Sequence, residues 1–311
     1  MLNVFGCIDQ LDTIDGHPLI VEAGPGRTIH ELYRARVFQS DDKSADALGR
    51  PDLRLGSPPW EHATAGRMNA RGISVFYAAR QDKVAIAEVR PPVGSRVAVA
   101  RLDIIRPVRL LDLTAFAKVH ETGSIFDPSF GRTLERAYFL RSLVKRMIRP
   151  VMPDDEVFDY LATQAVADFL ASENNPTVDG IIFPSAQVFD GHNIVLFHKA
   201  AGVLPLELPK GTKISVSLAD GTEEGYEPNY YVSEKVPAAP TKSDNPENQD
   251  MVWPSPFSTT PFGETVNSSE VATLRVDPGS IMVHHVNWVE YNCTPFQVTR
   301  HRFSNLEPSD F

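Results

Sequence analysis

The sequence has few cysteines and no long apolar run, and both features narrow the classes of protein to which the chain can belong. Only Cys7 and Cys293 occur among 311 residues, and they do not form a CxxC pair. A disulfide framework and a thiolate zinc site are therefore excluded, which favours a reducing compartment. No apolar stretch approaches the ~18 residues that a membrane span requires. Residues 1–15 lack the basic and apolar regions of a signal peptide, so we expect a cytoplasmic protein without membrane contact.

Positive charge is also scarce in the chain as a whole. The formal net charge is -10, which argues against a nucleic-acid coat protein, so we expect no direct nucleic-acid binding. Residues 26–110 differ, with 15 Lys and Arg against 9 Asp and Glu. This basic segment indicates either scattered surface arginines or a site for a small anionic ligand.

The common nucleotide and hydrolase motifs are missing. There is no GxxxxGK[ST] loop and no GxGxxG after a strand. The turn Gly24-Pro25-Gly26 cannot replace them, because Pro25 removes one backbone donor and no Lys-Ser/Thr follows. No GxSxG elbow surrounds Ser185, which argues against a serine hydrolase.

Hydrophobic periodicity predicts a mixed α+β fold. The pattern favours helices over residues 82–89, 133–148 and 154–171, and strands over residues 31–38, 73–79, 96–105, 108–113, 178–183, 193–198 and 212–218. Strand-like sequence returns over residues 270–303. We interpret residues 1–27 as an irregular arm, 28–205 as a compact α+β unit and 206–311 as a β-rich extension with a mobile Pro/Ser/Asn-rich loop over 237–261. Residues 39–60 are predicted to be a long loop, either a lid or disordered.

Five side chains in these elements are candidates for chemistry, and each also has a structural interpretation. Arg34 lies in an apolar strand and either reaches the surface or meets an anion. Arg67 follows a glycine, as in many phosphate-binding turns. Tyr77 is a core residue or a ring that stacks on a flat ligand. Glu88 is surrounded by apolar neighbours and is either ion-paired or functional. Ser185 ends a strand, where both sites and ordinary turns occur.

Taken in order, short blocks around these residues resemble the RES domain family, over about residues 31–199. The blocks are Tyr33-Arg34, Gly66-Arg67-Met68-Asn69, Tyr77-Ala78-Ala79, Ala85-Ile86-Ala87-Glu88 and Asp179-Gly180-Ile181-Ile182-Phe183-Pro184-Ser185. The resemblance implies a core similar to ADP-ribosylating toxins, with mixed or antiparallel sheets and helices. It also implies NAD⁺ as the substrate and a role as the toxin of a toxin–antitoxin pair with an Xre-type antitoxin.

The resemblance gives the candidates roles in cleaving the nicotinamide–ribose bond. Glu88 would stabilise positive charge at the ribose carbon. Arg34, or Arg36 on the same strand face, would hold the pyrophosphate together with Arg67. Tyr77 and Ser185 complete the catalytic set, with Tyr77 against nicotinamide or ribose and Ser185 bonded to the ligand or to an arginine. Asn69 joins Arg67 and Arg36 as a residue that binds NAD⁺.

Other functions and partners stay open at this level. The acceptor can be water or phosphate, which makes the enzyme an NAD⁺ glycohydrolase or phosphorylase. The alternatives are an ADP-ribosyltransferase that modifies a protein or nucleic acid, and a non-catalytic domain that binds a nucleotide or partner. No cofactor is expected, and homo-oligomers are compatible with the sequence. His284 and His285 are adjacent on a strand and point to opposite faces, so we expect no metal site there.

Overall fold

The computed structural model describes most of the chain in a single sheet-based fold. The residues that it describes are 2–6, 8–11, 13–120, 124, 126–222, 225–237 and 272–302. The loop predicted over 237–261 falls outside these residues except for its first residue. No helix in the described ranges is long and apolar enough to cross a membrane.

The described part contains six α-helices and eleven strands. The helices are α1 (Leu2–Phe5), α2 (Asp41–Gly49), α3 (Pro51–Arg54), α4 (Asp82–Glu88), α5 (Pro128–Ile148) and α6 (Glu156–Ser172). The strands are β1 (Ile20–Ala23), β2 (Glu31–Phe38), β3 (Phe76–Ala79), β4 (Arg96–Ile104), β5 (Val108–Asp112), β6 (Gly180–Pro184), β7 (His192–Leu196), β8 (Lys213–Thr222), β9 (Gly225–Lys235), β10 (Leu274–Val276) and β11 (Met282–His285). The predicted α+β class is confirmed.

The described strands form one nine-stranded mixed sheet and one hairpin. The sheet has the order β1-β5-β6-β7-β3-β2-β4-β10, and β11 also pairs with β4. β5 and β6 run parallel, whereas the other neighbours are antiparallel. The separate hairpin consists of β8 and β9. β3 therefore lies in the middle of the sheet, between β2 and β7.

Side-chain alternation on the central strands divides the core into two layers. On β5 and β6, Leu111 and Ile181 pack with α5 and α6. Their neighbours Leu110 and Ile182 pack on the opposite face, in the layer that includes Ala47 and Leu48 of α2. The sheet is thus buried on both faces, which explains why these strands read as continuous apolar runs.

Two segments predicted to be irregular are ordered elements, and both predictions are wrong. Residues 39–60 contain α2 and α3, where Pro51 takes a first-turn position that tolerates its missing N–H. The arm over residues 1–27 contributes β1, which extends the sheet beside β5. Phe5 and Ile8 are buried in the core. Ordering these segments covers apolar surface that the sheet would otherwise expose.

The predicted β-rich extension is joined to residues 28–205 through the sheet. β10 and β11 both pair with β4, and Leu274 and Val276 are buried in the same layer as β2 and β4. Residues after position 205 therefore complete the sheet that also contains Arg34.

Candidate functional site

Four of the predicted residues line one cavity at the middle of the sheet. The cavity has a volume of about 310 Å³, which is the size at which small-molecule sites begin, ~300 Å³. It is lined by Arg34, Arg67, Tyr77 and Glu88 from the predicted set. β2, β3, α4 and the turn before β3 bring these side chains together.

The carboxylate of Glu88 is held by two neutral donors on one of its oxygens. Ser185 Oγ donates to Glu88 Oε1 over 2.6 Å, and Asn193 Nδ2 donates to the same atom over 2.7 Å. The two bonds therefore hold the orientation of Glu88, and its second oxygen, Oε2, has no donor within the described part of the chain.

Ser185 is positioned by the loop that it begins. Its Oγ accepts hydrogen bonds from the backbone N–H groups of Gln187 and Val188, both over 3.0 Å. Because the hydroxyl oxygen is engaged as an acceptor, its proton points to Glu88. Ser185 contacts the carboxylate without lining the cavity itself. Its predicted direct contact with a ligand remains a prediction.

Asn193 was not predicted from the sequence. It lies on β7 and is only 5% exposed, beside Ala79 of β3. A buried asparagine in an otherwise apolar strand, as in Asn193-Ile194-Val195-Leu196, is a signal that could have identified it, since buried amides need partners.

Arg34 is a half-buried cation that has no carboxylate partner among the described residues. Its Nη1 donates to the Tyr77 carbonyl over 2.7 Å, and its guanidinium carbon lies 4.8 Å from the centroid of the Phe76 ring. Burial, followed by the charge of Arg36, lowers the pKa of Arg34 to about 10. The side chain is still protonated at neutral pH, and no ion pair with a described carboxylate offsets its charge. An anion in the cavity would do so.

Arg67 supplies a second positive charge. Its Nη1 donates to the Met147 carbonyl at the end of α5 over 2.8 Å, and its guanidinium carbon lies 5.6 Å from the Tyr160 ring centroid. It too has no ion pair with a described carboxylate. Tyr160, which sequence reasoning missed, is also part of the cavity wall.

Tyr77 and Asn69 hold the turn that carries Arg67. The Tyr77 hydroxyl donates to Asn69 Oδ1 over 3.0 Å and accepts from Met68 N over 2.9 Å. Burial raises the pKa of Tyr77, so the hydroxyl keeps its proton. The Asn69 amide nitrogen donates to the carbonyls of Thr64, Ala70 and Ile73. The Tyr77 ring lines the cavity, but Asn69 does not.

Close packing explains two of the glycines in the sequence blocks that carry the family resemblance. A Cβ on Gly66 would lie 2.7 Å from Asn69 Oδ1 and 2.9 Å from the Tyr77 hydroxyl. A Cβ on Gly180 would lie 2.3 Å from the Val195 carbonyl oxygen. Both positions therefore require glycine to let the polar turn and the neighbouring strand approach.

Arg36 and the histidine pair lie away from this cavity. Arg36 is exposed and donates to the Arg54 carbonyl over 2.5 Å. Strand alternation places it on the face of Arg34, as predicted, but two residues further along β2. His284 and His285 lie on β11, and His285 Nε2 is 2.6 Å from the Tyr230 hydroxyl. Among the described residues no group of three metal-ligating side chains occurs.

The geometry defines an α+β protein whose central sheet carries a cavity lined by arginines and by one carboxylate, which two neutral donors hold. A family model, the RES domain, matches residues 31–216. The match covers more than half of the chain and contains all the residues described in the cavity. The chain therefore belongs to the RES domain family, as the sequence motifs predicted. No curated protein matches the chain.

Proposed function

We propose that the protein degrades NAD⁺ by breaking the bond between nicotinamide and ribose. The observation that carries the proposal is the cavity itself, in which Arg34, Arg67 and Arg90 line the same space as the carboxylate of Glu88. Within the described part of the chain, neither Arg34 nor Arg67 has an ion pair with a carboxylate. Two cations suit a pyrophosphate, and an oriented carboxylate suits a developing positive charge.

Glu88 is the residue that acts on the reacting ribose. When the bond to nicotinamide breaks, its electron pair leaves with neutral nicotinamide and the ribose carbon becomes oxocarbenium-like. The Glu88 oxygen that is free of Ser185 and Asn193 stabilises this charge. Water then adds to the same carbon and loses a proton, giving ADP-ribose, or phosphate adds and gives its 1-phosphate.

The remaining residues bind and orient the substrate. Arg34 and Arg67 bind the pyrophosphate, and the Tyr77 ring packs against nicotinamide or ribose. Ser185 and Asn193 act through Glu88 as positioning residues. Asn69 acts through the turn that presents Arg67, while Arg36 lies too far along β2 to replace Arg34.

The test is incubation of the purified protein with NAD⁺, with and without phosphate. Free nicotinamide together with ADP-ribose, or with ADP-ribose 1-phosphate, is the expected result. Attachment of ADP-ribose to an added protein or nucleic acid would show a transferase instead. Complete recovery of NAD⁺ would show a non-catalytic binding domain.

The family also suggests a biological role, which we propose for this chain. NAD⁺ loss would make the protein toxic, and an Xre-type antitoxin would neutralise it. Expression of the wild-type chain alone is expected to stop bacterial growth, whereas expression of the Glu88→Gln variant is not. Equal growth of the two strains at equal protein levels would contradict this role.

A further inference from the structure

A second cavity lies directly behind Arg67. It has a volume of about 380 Å³ and is built by the end of α5 and the start of α6. Arg67 and Tyr160 line both this cavity and the cavity of Glu88. The two spaces are therefore neighbours that share one guanidinium and one aromatic ring in their linings.

The side chains of the second cavity suit an anion joined to a flat ring. Arg146 and Arg149 lie at the end of α5, and the Phe158 side chain on α6 is 76% exposed. Asp159 lies opposite, 3.5 Å from Arg149 Nη2. With Arg67 included, three arginines face a single carboxylate. An exposed phenyl ring beside arginines is an arrangement that stacks on nucleobases.

We infer that this second cavity binds the adenosine half of the dinucleotide, with the pyrophosphate at Arg67 between the two cavities. The inference rests on the proposed function and adds the place at which the adenosine half of the substrate binds. A cavity of about 310 Å³ is small for both nucleoside halves, whereas the two cavities together lie well inside the range of ~300–1,000 Å³ for small-molecule sites.

A comparison of two substrates distinguishes binding in the second cavity from cleavage of the nicotinamide–ribose bond. Nicotinamide mononucleotide keeps the bond that breaks but lacks the adenosine half, so it uses only the cavity of Glu88. The wild-type protein is expected to cleave NAD⁺ with a kcat/KM at least about tenfold above that for the mononucleotide. Equal kcat/KM values for the two substrates would overturn the inference.

The variants are Arg146→Ala, Phe158→Ala and their combination, with Lys145→Ala as the matched control. Lys145 is the exposed neighbour of Arg146 on α5 and does not line the cavity. The combined variant is expected to raise KM for NAD⁺ about tenfold or more, with kcat and the kinetics of the mononucleotide unchanged. A KM equal to that of Lys145→Ala, or a parallel loss with both substrates, would overturn the inference.

Calorimetry with AMP tests the cavity without turnover. AMP is expected to bind the wild-type protein and Lys145→Ala but not the combined variant, and equal binding or no binding to all three would overturn the inference. If the wild-type protein cleaved neither substrate, the proposed function would fail. Binding of AMP that depends on Arg146 and Phe158 would then still show a nucleotide site in this cavity.

Discussion

At the scale of single residues, the free oxygen of Glu88 is the feature on which the proposed chemistry depends. Ser185 and Asn193 both donate to Oε1, and neither carries a positive charge. The carboxylate is thus oriented without being neutralised, so its full charge can act on an adjacent cation. A salt bridge at the same place would have weakened this effect.

The Glu88→Gln variant is expected to lose NAD⁺ cleavage by roughly 100-fold or more, since the stabilising charge is removed. The glutamine oxygen can still accept from Ser185 and Asn193, so the fold should remain intact. Product assays by chromatography measure the loss of cleavage, and thermal unfolding by circular dichroism checks that the fold is intact. Retained turnover in a folded variant would contradict the role of Glu88.

Arg67→Ala is expected to weaken NAD⁺ binding about tenfold or more, because a charge-assisted hydrogen bond contributes roughly 1.5–3 kcal/mol. Calorimetry in the Glu88→Gln background avoids turnover. Arg36→Ala is the matched control, since Arg36 is exposed and bonded to the Arg54 carbonyl outside the cavity. Equal dissociation constants for the two arginine variants would count against the role of Arg67.

The Asn193→Asp variant tests whether Asn193 positions Glu88, and the measurement is the pH dependence of activity. The new carboxylate replaces an amide that lies 2.7 Å from Glu88 Oε1, and a like charge at this distance raises the pKa of a carboxyl group. Glu88 must be ionised to stabilise the ribose, so activity is lost as pH falls through that raised pKa. The acid limb of the pH–rate profile should move to higher pH. An unshifted limb in a folded variant would show that Asn193 does not act through Glu88.

At the scale of elements, tight packing of the turn before β3 determines the position of Arg67. Gly66 is packed against Asn69 and the Tyr77 hydroxyl, and Gln164 Nε2 of α6 donates to the Gly66 carbonyl over 2.9 Å. Thr163 Oγ1 donates to the Arg67 carbonyl over 2.5 Å. The direction of the Arg67 side chain is thus fixed by β3 and α6 together.

Gly66→Ala is expected to destabilise the protein by roughly 1–3 kcal/mol, because an added methyl group overpacks the turn. It should also raise KM for NAD⁺ by displacing Arg67. Gly131 of α5 is the control, since a Cβ there meets nothing within 4 Å, and alanine should stabilise the helix by about 0.5–1 kcal/mol. Urea unfolding measures both changes. A neutral effect of Gly66→Ala would contradict the tight packing of the turn.

Elements with a clear apolar pattern could be predicted from the sequence, and elements without one could not. β2 occupies the residues that were predicted, and α4 begins at Asp82 as predicted. α2 was missed because only a few of its residues are buried, so it lacks an apolar stripe. Its acidic first turn after Ser40 was the available signal. β1 has only four residues, too few for alternation to be read.

The residues of the candidate site could be predicted from the sequence more completely than their arrangement in space. Arg34, Arg67, Tyr77 and Glu88 line the same cavity, although they lie on separate elements. Strand alternation alone could not separate Arg34 from Arg36, because both share a face. Asn193 donates to Glu88, and this bond depends on the pairing of segments that are distant in sequence, whereas Asn69 bonds residues near it, between Thr64 and Tyr77. That pairing cannot be read from local sequence.

At the scale of the whole molecule, the predicted boundary between residues 205 and 206 does not match the packing of the sheet. β10 and β11 lie at one end of the sheet, beside β4. β4 is also the neighbour of β2, which carries Arg34. Residues 287–302, by contrast, are exposed throughout. The extension therefore consists of a part that completes the core and a part that adds little to it.

This division predicts different results for two truncations. A chain that ends at residue 205 loses β10 and exposes the surface that Leu274 and Val276 bury. Each such side chain contributes about 1.5–3 kcal/mol, against a total stability of only ~5–15 kcal/mol, so this chain should unfold at markedly lower temperature or fail to fold. A chain that ends at Asn287 should keep the wild-type midpoint, since it loses only exposed residues among those described. Thermal unfolding by circular dichroism compares the two. Equal midpoints for both truncations would show that residues 1–205 fold independently of the extension, and the sheet would then not depend on β10 and β11 for its stability.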